Sequence, residues 1–142
     1  MSKRGLKGGV EIESAEGQVP EPTGPVQVTD QTFEWEVLRS PLPVVVDFYA
    51  EWSVPCRATQ PVLADLSARL AGRIKFAAAN IDDAAHVARS YGIHAVPTYL
   101  FLDSGQERGR EVGPLDGVEF RAILRRHFAR RSPVSGGTPA SR

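Results

Sequence analysis

The chain has 142 residues, of which 42% are hydrophobic and 24% are charged, and its formal net charge at pH 7 is zero. This composition predicts one globular domain with its own core, without a global charge that would attract nucleic acid and without the run of about 18 apolar residues that spans a bilayer. The chain has one cysteine, which excludes an intramolecular disulfide and a four-thiolate metal site.

The two ends of the chain have compositions that predict disorder. Residues 1–25 are rich in Gly, Glu, Ser and Pro, and residues 132–142 are mostly Ser, Gly and Pro. The basic stretch at residues 1–9 is not followed by the apolar core of a secretory signal, so we expect a cytoplasmic protein. The sequence therefore predicts one domain, residues 26–131, between two disordered tails.

The first part of the domain alternates short strands with helices. Residues 26–28 predict a strand, after which Thr29 or Asp30 can accept hydrogen bonds from the free amides of a following helix. The apolar residues of that helix fall at helical spacing and are Phe33, Val37 and Leu38. Prolines at positions 41 and 43 end the helix, and the apolar residues 44–49 predict the central strand.

The middle of the chain predicts a second helix over about 55–71, ended by Gly72, and a strand over residues 74–81. The helix should be kinked at Pro61 and should bury an apolar stripe formed by Val62, Leu63, Leu66 and Leu70. We expect Asp82 to cap a third helix, over about 83–91.

The last part of the domain predicts a hairpin followed by a helix. Residues 99–102 and 107–112 form its strands around a Ser104-Gly105 turn, and the helix covers about 116–130. Its inward positions are Phe120, Ile123, Leu124 and Phe128. The order β-α-β-α-β-α-β-β-α predicts an α/β domain with a central mixed sheet and helices on both faces.

Residues 44–57 contain the motif around which the chain is organised. The strand ends in Asp47-Phe48-Tyr49-Ala50 and passes through Glu51-Trp52-Ser53-Val54-Pro55-Cys56 into the second helix. This stretch resembles the thioredoxin family, in which a strand with Asp-Phe precedes Trp-Cys-Gly-Pro-Cys at a helix start. Other family motifs follow in the expected order: Pro61, Asn80-Ile81-Asp82, Tyr91-Gly92-Ile93, Val96-Pro97-Thr98, Gly105 and Val112-Gly113.

The resemblance implies the thioredoxin fold and thiol–disulfide exchange on disulfide-containing proteins or peptides. It places Ser53 at the nucleophile position, Cys56 as the resolving thiol and Asp47 as the proton carrier. It also implies a groove that binds the substrate, formed by Trp52, Pro55, Ile93, Val96 and Pro97. The peptide bond before Pro97 should be cis. No cofactor, metal, nucleic acid or membrane is implied; a thioredoxin reductase could be the reductant, and the protein should be a monomer unless Cys56 links two copies.

The chain departs from the family pattern at the site itself. Ser53 replaces the nucleophilic cysteine, Val54 replaces the usual glycine, and Tyr49 stands where many members have tryptophan. Ala78 stands where a lysine commonly neighbours the buried aspartate. If Asp47 is buried, it therefore lacks a cationic neighbour and should ionise less readily.

Serine at position 53 changes the chemistry that the sequence predicts. Its hydroxyl stays protonated near neutral pH without an adjacent base and forms no disulfide, but serine is among the best helix N-cap residues. We therefore expect a redox-inactive or single-thiol protein, in which Cys56 is either a packed, inert thiol or a slow site for mixed disulfides. Trp52 could be a core residue or cover the site, and Asp47 a proton carrier or a buried polar remnant.

Two function classes remain open from the sequence. One is a thioredoxin-like protein-disulfide oxidoreductase with a Cys-to-Ser change at position 53, and the other is a natural, non-catalytic binding or chaperone module that uses the cis-proline groove. His86 and His94 are expected to face solvent, without a metal site. Five arginines near the chain end suit the outer face and C-terminal end of the last helix, where they oppose the helix dipole. This position is favoured over a role in binding RNA or an acidic partner, because no aromatic residues interleave with them: Arg121, Arg125, Arg126, Arg130 and Arg131.

Overall fold

A computed structural model describes residues 24–128, and every structural statement below concerns that part of the chain. The predicted tails, residues 1–25 and 132–142, lie outside it except for Gly24 and Pro25. The elements in chain order are β1 (Val26–Val28), a π-helix (Glu34–Leu38), β2 (Val44–Tyr49), α1 (Val54–Arg69), β3 (Lys75–Asn80), α2 (Ala85–Ser90), β4 (Thr98–Asp103), β5 (Gln106–Val112) and α3 (Gly117–Phe128).

The five strands form one mixed sheet in the order β1-β3-β2-β4-β5. Strand β3 pairs in parallel with β1 and β2, whereas β4 pairs antiparallel with β2 and β5. The central position of β2 explains its apolar sequence, because a strand buried on both faces has no solvent side for polar residues. The predicted mixed-sheet α/β class is confirmed.

Alternating residues of β2 divide the core into two layers. Val44, Val46 and Phe48 face the side packed against the π-helix and α2. Val45 faces the side packed against α1 and α3, and strand alternation places Asp47 on that same side. Asp47 therefore lies on the side of the sheet that α1 covers.

The helices that cover this second layer bury the residues that their periodicity predicts. All four predicted inward residues of α3 are buried. In α1, Leu63 and Leu66 are buried, whereas Val62 and Leu70 pack at the edge of the layer. No helix among residues 24–128 is both long enough and apolar enough to cross a membrane.

The helix predicted after β1 is a five-residue π-helix, Glu34–Leu38. It is shorter than predicted and is not an α-helix. The N–H of Arg39 donates to the carbonyl of Glu34, five residues earlier, which closes a π-helical turn. Phe33 and Val37 are buried as predicted, and Leu38 is half-buried. The predicted cap of this helix by Thr29 or Asp30 is wrong, because its N-cap is Phe33, without a side-chain cap hydrogen bond; the Thr29 hydroxyl accepts from the amide of Gln31 at 3.2 Å.

The predicted cap of the third helix is wrong. Asp82 is exposed, and the carboxylate at the start of α2 belongs to Asp30, which accepts hydrogen bonds from the amides of Val87 at 2.9 Å and His86 at 3.2 Å. The Val87 bond is the main reason why the pKa of Asp30 lies below its ordinary value. The parallel pairing of β1 with β3 brings this residue to α2, a long-range contact that sequence order does not reveal.

Asp30→Ala should therefore lower the urea midpoint of unfolding, because it leaves two amides of α2 without their acceptor. Asp82→Ala is the matched control and should leave the midpoint nearly unchanged, since its side chain is exposed. Equal losses in the two variants would contradict the assignment of the cap to Asp30.

Candidate active site

The junction between β2 and α1 is built around Ser53. Its backbone is extended, with φ −90° and ψ 119°, and its Oγ accepts a hydrogen bond from the amide of Cys56 at 3.3 Å. Pro55 lies in the first turn of α1, where the missing N–H would have no helical acceptor. The structure thus gives Ser53 the N-cap role that its residue type favours, with the side chain only 6% exposed.

Cys56 lies in the first turn of α1 and faces inward. It is 1% exposed, and the hydroxyl of Thr59 donates to its carbonyl at 3.0 Å. A sulfur in this position is shielded from solvent and from large reagents. Burial therefore favours the packed thiol over a freely reacting single-thiol site.

Asp47 lies beneath this turn and is 4% exposed. Burial raises its pKa to about 7, and its Oδ1 has no hydrogen-bond partner in the part of the chain that the structure describes. Its neighbours across the sheet are Ala78 on β3 and Tyr99 on β4. The alanine that replaces the family's lysine is therefore directly beside the carboxyl group, which explains why desolvation acts on it without a neighbouring cation.

Tyr99 is a site residue that the sequence did not predict. Its side chain is fully buried, and its hydroxyl has no hydrogen-bond partner among residues 24–128. Burial raises its pKa above the ordinary value, and the nearby Asp47 and Cys56 act in the same direction. Only the pairing of β2 with β4 reveals this neighbourhood, because the two strands are far apart in sequence.

The loop before β4 contains the cis peptide bond that the resemblance implies, between Val96 and Pro97. Pro97 is buried, and its carbonyl accepts a hydrogen bond from the amide of Gly113 at 2.9 Å. The hydroxyl of Thr98 donates to the carbonyl of Ala95 at 2.6 Å. These contacts attach the loop to the sheet at the edge of the site.

A cleft of about 410 Å³ lies between this loop, α2 and Trp52, which precedes α1. Of the five predicted groove residues, it is lined by Trp52, Ile93 and Val96. Pro55, which is exposed on the first turn of α1, and Pro97, which is buried, do not line this cleft.

The Trp52 side chain is 69% exposed, so it is a surface residue of the cleft and the core interpretation is wrong. His86 and His94 are exposed as predicted, and His94 also lines the cleft. Within residues 24–128, no three His, Cys, Asp or Glu side chains are grouped so that they could hold a metal ion.

The domain is thus of the mixed-sheet α/β class and combines a helix that begins with an x-x-Pro-Cys motif with a cis-proline loop, and a cleft separates this loop from Trp52, which precedes the helix. The family model named Thioredoxin matches residues 24–126. The chain therefore belongs to the thioredoxin family, a family of thiol–disulfide oxidoreductases.

Individual relatives match over most of their length. The chain is 40% identical to Thioredoxin 1 of Nostoc sp. over 102 residues, which are 72% of this chain and 95% of that protein. It is 42% identical over 86 residues to the thioredoxin of Rickettsia bellii, covering 61% of this chain and 82% of the relative. It is 36% identical over 99 residues to the thioredoxin of Allochromatium vinosum, covering 70% and 92%.

Proposed function

We propose that this protein is a protein-disulfide oxidoreductase of the thioredoxin type whose site binds extended polypeptides but does not turn over with serine at position 53. One observation carries the proposal. The side chain that caps α1 beside the cleft is the Ser53 hydroxyl, while the only cysteine, Cys56, is buried behind it. The site thus retains the arrangement for disulfide exchange without the attacking sulfur.

The reaction needs two sulfurs with different roles. A thiolate at position 53 would attack one sulfur of a substrate disulfide, form a mixed disulfide and release the other substrate sulfur as a thiolate. Cys56 would then attack the sulfur at position 53, so that the substrate leaves reduced and a disulfide joins positions 53 and 56. Asp47, with its pKa raised to about 7, would accept the proton of Cys56 for that second step. A serine hydroxyl cannot form the S–S bond of the mixed disulfide, so the reaction cannot begin in the chain with Ser53.

The surroundings of the site indicate the kind of partner. The cleft lined by Trp52, Ile93 and Val96 is mostly apolar and open, which suits an extended segment of a disulfide-containing protein. We propose a cytoplasmic monomer that needs no cofactor or metal. With a cysteine at position 53, it would take electrons from a thioredoxin reductase. Burial of Cys56 argues against a Cys56–Cys56 dimer.

The test is the reduction of insulin disulfides with a small dithiol as electron source. The protein as it stands should not exceed the rate of the dithiol alone, whereas Ser53→Cys should exceed it several-fold. Ser90→Cys is the matched control, because it adds an exposed cysteine at the last turn of α2, at a position that does not line the cleft, and should give no acceleration. Turnover by the unchanged protein, or none by Ser53→Cys, would contradict the proposal.

A second candidate is a natural binding or chaperone module that never exchanges disulfides. The exposure of Trp52 beside an intact cleft favours it, because binding alone needs no sulfur at position 53. This candidate predicts that Ser53→Cys stays inactive toward insulin. Under it, Trp52→Ala should weaken the binding of unfolded polypeptides in the chain with Ser53 and in Ser53→Cys by the same factor.

A further inference from the structure

A second cavity, of about 490 Å³, lies between α1 and α3 at the end of α1 that is farthest from Ser53. We call it the arginine groove. Its floor is apolar and is formed by Leu66, Leu70, Ile74, Leu124 and Phe128. Its rim is basic and is formed by Arg69, Arg73, Arg121 and Arg125. An apolar floor inside a ring of guanidinium groups suits an occupant that is itself both apolar and acidic.

Most of this positive charge is not neutralised within the domain. Arg69 pairs with Asp65 at 2.9 Å on the same helix. Among residues 24–128, Arg73, Arg121 and Arg125 have no ion-pair partner, and all three are exposed. The groove therefore has three cations available for carboxylates that come from elsewhere.

We propose that the arginine groove is the docking site for residues 10–16 of the same chain. This segment reads Val-Glu-Ile-Glu-Ser-Ala-Glu, so it has three carboxylates, two branched apolar side chains and no basic residue. Val10 and Ile12 match the apolar floor, and Glu11, Glu13 and Glu16 match the three available arginines in number and sign. Charge complementarity thus selects this segment as the occupant.

The entry point of the chain supports the same occupant. Gly24 lines a smaller cavity of about 180 Å³ that shares Ile74 with the arginine groove, so the described chain begins beside the groove. Eight residue steps separate Gly24 from Glu16, and an extended chain of that length reaches roughly 26–29 Å. The segment can therefore reach the groove without moving the domain.

The C-terminal segment is the competing occupant from this chain. It also begins at the groove, because Phe128 is part of the floor. However, Arg130 and Arg131 follow two and three residues later and carry the same sign as the rim. Repulsion between like charges therefore favours the acidic N-terminal segment.

Docking there would leave the proposed active site open. Ser53 and the arginine groove are at opposite ends of α1, which has 16 residues and so a length of about 24 Å. The docked segment would contact α1 and α3 on their outer side, in addition to the contacts that these helices make with the sheet. This inference does not depend on the proposed disulfide chemistry.

The test is paramagnetic relaxation enhancement in the full chain. A nitroxide is attached at position 14 of Ser14→Cys, in a Cys56→Ala background that leaves a single attachment site. We expect the amide signals of Leu70, Ile74 and Leu124 to lose intensity while those of β5 keep it. Loss concentrated at the Trp52 cleft, or spread evenly over the domain, would overturn the proposal.

Charge reversal checks the physical basis. Glu11→Lys/Glu13→Lys/Glu16→Lys should restore the groove signals, and adding Arg73→Glu/Arg121→Glu/Arg125→Glu should weaken them again. Lys3→Glu/Arg4→Glu/Lys7→Glu, the matched control, reverses as many tail charges outside the segment and should leave the groove signals weakened. Broadening that stays the same after both charge reversals would overturn the proposal. Broadening of an isotope-labelled chain without nitroxide by a second, nitroxide-labelled copy would also overturn it, because the contact would then be between two chains.

Discussion

Asp47→Asn is expected to raise the free energy of unfolding by about 2–4 kcal/mol at pH 8. The carboxyl group is 4% exposed, has an Oδ1 without a hydrogen-bond partner in the described chain, and faces Ala78 where a cation would offset its charge. Burial raises its pKa from 3.8 to about 7. Above pH 7, folding must therefore bury an uncompensated charge that the amide of asparagine does not carry.

The effect of this substitution should depend on pH in a defined direction. Between about pH 4 and pH 7 the folded state holds the Asp47 proton and the unfolded state has lost it, so stability falls as pH rises. Below that window both states are protonated and the difference between Asp47→Asn and the parent should approach zero. Above it the difference should be complete.

Urea unfolding at several pH values from 4 to 8 measures this difference. Asp82→Asn is the matched control, because that carboxyl group is exposed, and it should change stability by less than about 0.5 kcal/mol throughout. A gain for Asp47→Asn that is the same at every pH would show that packing, and not the buried charge, is responsible.

The thiol introduced by Ser53→Cys is expected to titrate near pH 7, below the ordinary value of about 8.5. In the present chain the Ser53 Oγ accepts the amide of Cys56, so this donor already points at the side chain that would bear the charge. The other free amides of the 16-residue helix add their dipoles in the same sense. Desolvation at a position that is 6% exposed opposes them, and the balance sets the final pKa.

Ultraviolet absorbance of the thiolate as a function of pH gives this pKa directly when Cys56→Ser is added, because position 53 then holds the single thiol of the chain. Ser90→Cys supplies the comparison, because its thiol would lie at the C-terminal end of α2, where the helix dipole disfavours a negative charge. That thiol should titrate at or above about 8.5. An equal or higher pKa at position 53 would mean that the start of α1 does not activate a cysteine.

The elements that follow from local pattern could be predicted from the sequence. The apolar run of β2 has its predicted bounds, and α3 buries all four of its predicted residues, since periodicity records which side of an element is inside. The cap at Ser53 is also local, because its acceptor and donor are three residues apart. Such features require only neighbours along the chain.

The features that depend on strand pairing could not be predicted in the same way. Asp30 caps α2 because β1 lies beside β3, and Tyr99 faces Asp47 because β2 pairs with β4. The π-helical turn forms because the amide of Arg39 donates to the carbonyl of Glu34, five residues earlier, and not to the carbonyl four residues earlier that an α-helix would use. These two local hydrogen bonds are nearly equivalent, so the sequence does not predict which one forms. The arginine groove lies between α1 and α3, which are far apart in sequence. The arginines on the outer face of α3 were therefore not enough to predict it.

The insulin assay assigns the roles of positions 53 and 56 when it compares four proteins: the chain as it stands, Ser53→Cys, Cys56→Ser and Ser53→Cys/Cys56→Ser. We expect turnover only in Ser53→Cys, and a mixed disulfide that accumulates at position 53 in the double variant, because attack succeeds there without a thiol to resolve it. Turnover by the unchanged chain that disappears in Cys56→Ser would contradict this expectation, because Cys56 would then be the attacking thiol.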